Sequence, residues 1–165
     1  MRAEGLDYSG PEFKTMFANY GLTAIAALAL EKSVMLLIAA IDNIGKGDLP
    51  KEVLHEYLQK YRKKPLGFLI TELEKRILLT PDIKTGLEKA LIDRNMIIHH
   101  FFVEEYETML LDEGPKLLSN RLRPIRDSFV AVHSKIDDLL GLVSAELNKT
   151  KTEMNPDVRR LLTEK

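Results

Sequence analysis

At 165 residues the chain has the size of one compact domain and is long enough to bury a core without disulfides or metals. Its 24 Lys and Arg against 25 Asp and Glu give a net charge of −1, which excludes a generally basic, phosphate-tracking protein and an acidic disordered tail alike. Apolar residues at 45%, with nine Gly and seven Pro, exclude a disordered or fibrous chain. The lack of cysteine excludes disulfides, thiolate-bound zinc or iron–sulfur and a thiol nucleophile, and fits a cytoplasmic address.

Met1 to Gly10 carries Arg2, Glu4 and Asp7 without an apolar stretch, so it does not read as a signal peptide. Leu22 to Ile41 is apolar, but Glu31, Lys32 and Ser33 divide it into two runs of about ten residues, each too short for a bilayer. A buried helix is expected, and no membrane partner.

Ser9-Gly10-Pro11-Glu12 opens the first helix, with a small capping residue and a proline in the first turn. Phe13, Phe17, Tyr20, Ala24, Ala27, Leu28, Met35 and Ile38 recur at steps near three or four, or twice that, until about Asn43, where Gly45-Lys46-Gly47-Asp48 ends it. A second helix covers about Pro50 to Tyr61, and the basic run Lys60-Tyr61-Arg62-Lys63-Lys64 leads to Pro65. A third spans about Leu66 to Leu79. Thr80-Pro81-Asp82 starts a fourth: threonine caps, proline takes the first helical position, and aspartate faces the positive end of the dipole. It is expected to run to about Leu111, where Asp112-Glu113-Gly114-Pro115 stops it.

The last long helix has the clearest period. Leu118, Leu122, Ile125, Phe129, Val132 and Ile136 alternate steps of four and three and continue to Leu147, a heptad seam typical of nearly antiparallel packing or a coiled coil. Pro124 inside the run implies a start near Asn120 or a kink. Asn155-Pro156-Asp157 suggests a short terminal helix, frayed rather than docked. No alternating strand pattern, repeat or linker is visible. The expectation is an all-α bundle of roughly four or five main helices, with residues 1–150 as one domain and 151–165 as a tail.

One residue breaks the pattern. On a wheel at about 100° per residue with Leu87 at zero, Leu91, Ile98 and Phe101 gather near 40°, 20° and 320°, and Arg94 falls near 340° among them. A guanidinium cannot shed its proton, so in a core it needs a carboxylate, several carbonyls or an open cavity. An internal ion pair to Glu31, Asp42, Glu72 or Asp127 is one solution, and a functional cleft is the other. Asn95 and His99 stand side by side at the stripe's edge, where the amide would fix the imidazole. Arg94 and His99 themselves lie about 140° apart on an ideal helix, so they would converge only through arginine's length or a partner subunit.

Arg94-Asn95-Met96-Ile97-Ile98-His99, within Leu91 to Phe102, resembles the signature of the HEPN superfamily (higher eukaryotes and prokaryotes nucleotide-binding): an arginine, a polar residue, then a histidine after four to six positions. The resemblance implies a HEPN-like all-α fold, often a homodimer, and a metal-independent endoribonuclease of the kind found in toxin–antitoxin pairs. In that reading Arg94 and His99 are the catalytic arginine and histidine and Asn95 the polar position, with RNA as substrate and a nucleotidyltransferase-like antitoxin as partner. Imidazole would take the ribose 2′-OH proton and guanidinium would stabilise charge growing on the phosphate, without metal or cofactor. His100 also satisfies the spacing as an alternative base, but near 220° it points away from Arg94. The competing reading is a non-catalytic helical interaction or regulatory module, binding RNA, nucleotide or protein, with Arg94 as a buried structural ion pair and the heptad seam docking a partner helix. An open Arg94–His99 cleft supports the first reading; an arginine sealed against an internal carboxylate removes it.

Other constellations are weaker. His100 and Glu104 have a metal-gripping i, i+4 spacing but no evident third ligand, and His55 and His133 stand alone. The run Lys60 to Lys64 and the cluster Arg121, Arg123, Arg126 would meet phosphates if they are not simply solvated faces. Gly45-Lys46-Gly47 lacks the length and the preceding strand of a phosphate loop, and Met96 and Phe102 read as packing residues.

Overall fold

The computed structural model describes residues 8–150 and 152–162, and the expectations for residues 1–7, 151 and 163–165 lie outside them. The fold is an all-α helical bundle: α1 (Pro11–Asp42), α2 (Lys51–Tyr61), α3 (Leu66–Glu74), α4 (Pro81–Asn95), a π-helical turn (Met96–His100), α5 (Phe101–Glu104), α6 (Tyr106–Met109), α7 (Gly114–Ser144) and α8 (Pro156–Leu161).

α1 is apolar around most of its circumference, which requires it to sit centrally. It is long and apolar enough by composition to cross a bilayer, yet more than half of its most apolar stretch is buried within the protein. Its main partner is α7. Asn19 Nδ2 donates to Ser119 Oγ (2.5 Å), Ser33 Oγ meets His133 Nε2 (2.8 Å) and Asn148 Nδ2 donates to Asp48 Oδ1 (3.0 Å), each pair one hundred residues apart. The first two pairs join α1 to α7 and the third lies just beyond their ends, so the constant offset means the two helices run parallel. Of the nearly antiparallel packing or coiled coil that the heptad pattern suggested, the antiparallel arrangement is excluded. Leu118, Leu122, Phe129, Val132, Ile136 and Val143 of the seam are all buried, so the seam serves this chain's own core and is not open to a partner helix.

Local corrections have simple causes. α7 begins at Gly114 and passes through Pro124. The proline forfeits one ladder bond, to the carbonyl of Asn120, and both residues are exposed, where water replaces it. Thr80 occupies the N-cap of α4, but its hydroxyl makes no capping bond. α3 stops at Glu74, five residues before the expected Leu79, and the expected fourth helix breaks after Asn95.

The C-terminal segment is docked rather than frayed. Met154 and Val158 enter the main core, and Leu78 N–H donates to Leu161 O (2.6 Å). Glu146 anchors it, accepting Asn155 N–H (2.9 Å) and Lys149 Nζ (3.0 Å). The Asn155 bond first and Lys149 second hold this carboxyl below its ordinary 4.5. A depressed carboxylate stabilises the fold above its unfolded value and ceases to as pH falls through the folded one. Acidification from about pH 4.5 downward is therefore expected to loosen α8 first. Hydrogen-exchange protection of the α8 amides should fall before that of α1 and α7; equal protection of all three at about pH 3 would contradict this.

Two apolar clusters fill the interior. The larger joins the C-terminal half of α1 to α2, α3, α4, the second half of α7 and α8; the smaller packs Phe13 and Met16 against Ile97, Phe101, Met109, Leu118 and Leu122. Ala90 of α4 belongs to the first and Ile97 of the π turn to the second, which places Arg94 between them.

Candidate functional site

The sequence leaves Arg94 and His99 on different faces of a regular helix, and the backbone resolves this. Phe101 N–H bonds Met96 O, an i→i+5 bond that marks a π turn. Residues five apart then stand above one another, instead of about 140° out of phase as in an α-helix. The Tyr20 hydroxyl donates to the Ile97 carbonyl inside the turn (3.2 Å), so α1 supports the wider coil. Such turns are frequent at functional sites.

With the turn in place, Arg94 Nη1 donates to His99 Nε2 at 2.9 Å. On its inner side Arg94 Nε donates to Glu31 Oε1 at 2.8 Å, with side-chain exposures of 16% for the arginine and 10% for the glutamate. Of the four carboxylates open to Arg94, Glu31 is its partner. Asp42 and Glu72 hold Arg76 instead, and Asp127 lies near Arg126. The guanidinium is thus neither sealed nor free: its Nε edge is fixed in the interior, while Nη1 reaches an exposed imidazole.

A guanidinium only donates, so His99 Nε2 accepts, and the neutral ring carries its proton on Nδ1. Asn95 Oδ1 lies 3.5 Å from Arg94 Nη1; the amide leans on the arginine, and the expected hold on the imidazole comes from Arg94. His100 is exposed and packs edge-on to His99 at 6.2 Å, with no bond to Arg94. An aromatic ladder adjoins the turn, Phe17 to Phe102 at 6.0 Å and Tyr20 to Phe102 at 4.6 Å, so Phe102 packs as expected but stays partly exposed.

Other candidates resolve into structure. No group of three His, Asp or Glu able to hold a metal occurs among the described residues, so His100 and Glu104 gain no third ligand. His55 meets Gln59, and no other polar partner among the described residues. His133, which reads as isolated in the sequence, takes both Ser33 Oγ (2.8 Å) and Asp137 Oδ2 (3.3 Å) on the same Nε2. A nucleophile–base–carboxylate relay needs the serine and the acid on opposite ring nitrogens, so this group ties α1 to α7 and does not form a hydrolytic triad.

Sequence reasoning missed one ionic cluster. Asp42 receives Arg76 through both oxygens (2.8 and 3.1 Å) and the Tyr57 hydroxyl (3.2 Å), while Arg76 also reaches Glu72 (3.0 Å). The Asp42 bonds raise the Arg76 pKa, burial and then Asp42 push the Tyr57 phenol up, and Lys75 and Arg76 hold Glu72 below the usual carboxylate range. Their separation along the chain hid the group, and its closed bonding makes it a clamp joining the ends of α1, α2 and α3. No family model matches the chain, and comparison with curated proteins and with solved structures gives no match.

Proposed function

We propose that the chain is a HEPN-like, metal-independent endoribonuclease of the cytoplasm in which Arg94 and His99 act together. The observation that carries this reading is the 2.9 Å contact between Arg94 Nη1 and His99 Nε2 at the surface, held from behind by Glu31. Substrate phosphate would draw Nη1 onto its oxygens and release the Nε2 lone pair. His99 would then take the 2′-OH proton, the 2′-oxygen would attack phosphorus, and the 5′-oxygen would leave with a proton from water. The products are a 2′,3′-cyclic phosphate and a 5′-hydroxyl. Arg94 stabilises the added negative charge of the transition state, Asn95 steadies the guanidinium, and His100 serves as base only if it replaces His99.

A homodimer belongs to the same reading. Phe17, Leu22, Ile25 and Leu28 form an exposed apolar stripe on α1, with Ile25 63% exposed, and Phe17 links it to Phe102 beside the π turn. Contiguous apolar surface of this kind marks interaction sites, and a second copy seated there would border Arg94 and His99. A nucleotidyltransferase-like antitoxin is the partner of the toxin form of this reading.

The second reading, a non-catalytic interaction module, is favoured by the Glu31–Arg94 ion pair, which satisfies the arginine internally. Cleavage of RNA in the presence of chelator separates the two. His99→Ala should lose about 10²–10⁴-fold, with cyclic phosphate ends on the wild-type products, while His100→Ala retains most activity. Wild-type and His99→Ala rates that are equal would end the nuclease reading.

A further inference from the structure

We propose that Lys60, Arg62, Lys63 and Lys64 form a binding track for the phosphodiester backbone of single-stranded RNA, leading to Arg94 and His99. All four are exposed, and none forms an ion pair among the described residues. In a chain of net charge −1 this sets the run apart from the other basic cluster, where Arg121 is paired with Glu105 and Arg126 with Asp127, leaving Arg123 alone of the three without an ion pair among the described residues. Two of the four are also held in place. Lys60 Nζ lies 5.0 Å from the Tyr61 ring centroid and Lys64 Nζ 5.0 Å from that of Phe68, contacts that reduce the entropy a long side chain loses on meeting a phosphate.

The placement points to RNA. α3 and α4 form an antiparallel pair whose register is fixed twice: Lys84 bridges Glu74 (3.2 Å), and a methyl group added at Gly67 would lie 3.3 Å from Leu91 Cδ2. Both contacts share one register, in which Leu66, the first residue of α3, falls opposite position 92, and Lys64 lies two residues before that helix start. The Arg76–Asp42 contact, just past the end of α3, agrees in sense: it sets the C-terminal ends of α1 and α3 together, so the start of α3 lies toward the middle of α1, where Glu31 stands. The end of the positive run therefore lies at the end of α4 that carries Arg94, although thirty residues separate Lys64 from Arg94 in sequence. A phosphate-rich polymer held there would pass the imidazole, whereas an anionic bilayer would gain nothing from that alignment.

This inference rests on the nuclease reading for its direction, and its test separates the two. Anisotropy of a fluorescein-labelled oligouridine of about twelve nucleotides reads binding alone when the full chain carries His99→Ala. Adding Arg62→Ala, Lys63→Ala and Lys64→Ala together should make the slope of log K against log salt shallower by about 2, at about 0.7 per phosphate contact on single strands. Arg121→Ala with Arg123→Ala should leave it unchanged. An unchanged slope in the triple variant overturns the track, even if the wild type cleaves RNA. A track-dependent slope in a chain that cleaves nothing keeps the track and removes the nuclease. Triple-dependent binding to phosphatidylcholine vesicles with about one-third phosphatidylglycerol, with no effect on RNA, overturns it in favour of a membrane surface.

Discussion

Replacing Arg94 with alanine is expected to cost about 3 kcal/mol of unfolding free energy, because it strands the Glu31 carboxylate in the interior. Glu31 is only 7% exposed and Arg94 Nε, at 2.8 Å, is its ion-pair partner. Moving the pair as a unit is different: in Glu31→Leu/Arg94→Met both charges leave and the volume is kept, so the double variant should lie within about 1 kcal/mol of wild type. Urea midpoints at constant m value read both directly. Equal losses in the single and double variants would show that the pair contributes packing rather than compensated charge. The result bears on the activity assay, since Arg94→Ala loses fold and chemistry together. His99 is exposed and donates no charge to the interior, which makes His99→Ala the cleaner probe.

Gly114→Ala is expected to be comparably severe, about 3 kcal/mol, at the upper end of overpacking costs. A Cβ at this position would sit 1.8 Å from the Thr108 carbonyl oxygen and 2.9 Å from its carbon, and both are backbone that cannot swing aside. The displaced elements would be α6 and the start of α7, which carry Met109, Leu118 and Leu122 of the smaller cluster. Ile97 of the π turn packs in that cluster, so the Arg94–His99 contact should loosen as well. Gly21→Ala is the matched control: nothing lies within 4 Å, and alanine in a helix interior should be neutral or stabilising by about 0.5–1 kcal/mol. Thermal denaturation distinguishes the two, and a Gly114→Ala chain as stable as Gly21→Ala would show that α6 yields freely.

The helices were legible in the sequence because steps of three and four between apolar residues report a buried face directly. Arg94 was legible as a conflict for the same reason, since it stood within a stripe that Leu91, Ile98 and Phe101 define. Its partner was one of four carboxylates, because choosing Glu31 requires the register of α1 against α4, which no local spacing encodes. The π turn was invisible: Met96 to His100 carries no breaking residue, and the wider coil is supported by Tyr20 from α1. The heptad seam on α7 was read correctly as a packing face, but a seam has no direction written in it. The parallel pairing follows from the chain's path through α2 to α6. The docked tail was missed because its hold rests on two apolar residues, Met154 and Val158, and on one buried carboxylate, Glu146.

The hundred-residue offset between α1 and α7 also sets a clock. During synthesis at about 5–20 residues per second, each turn of α1 is made roughly 5–20 s before the turn of α7 that will cover it. For that interval the longest helix of the chain has α2, α3 and α4 over its C-terminal part, and the π turn and α5 against its N-terminal part once these are made. The half carrying Phe13, Met16 and Tyr20 waits longest, since its cover begins only at Ile97 and is completed by Leu118 and Leu122. Pairings so distant in sequence fold slowly for a helical protein. Elongation and aggregation therefore compete for α1 before the stability of the finished bundle comes into play.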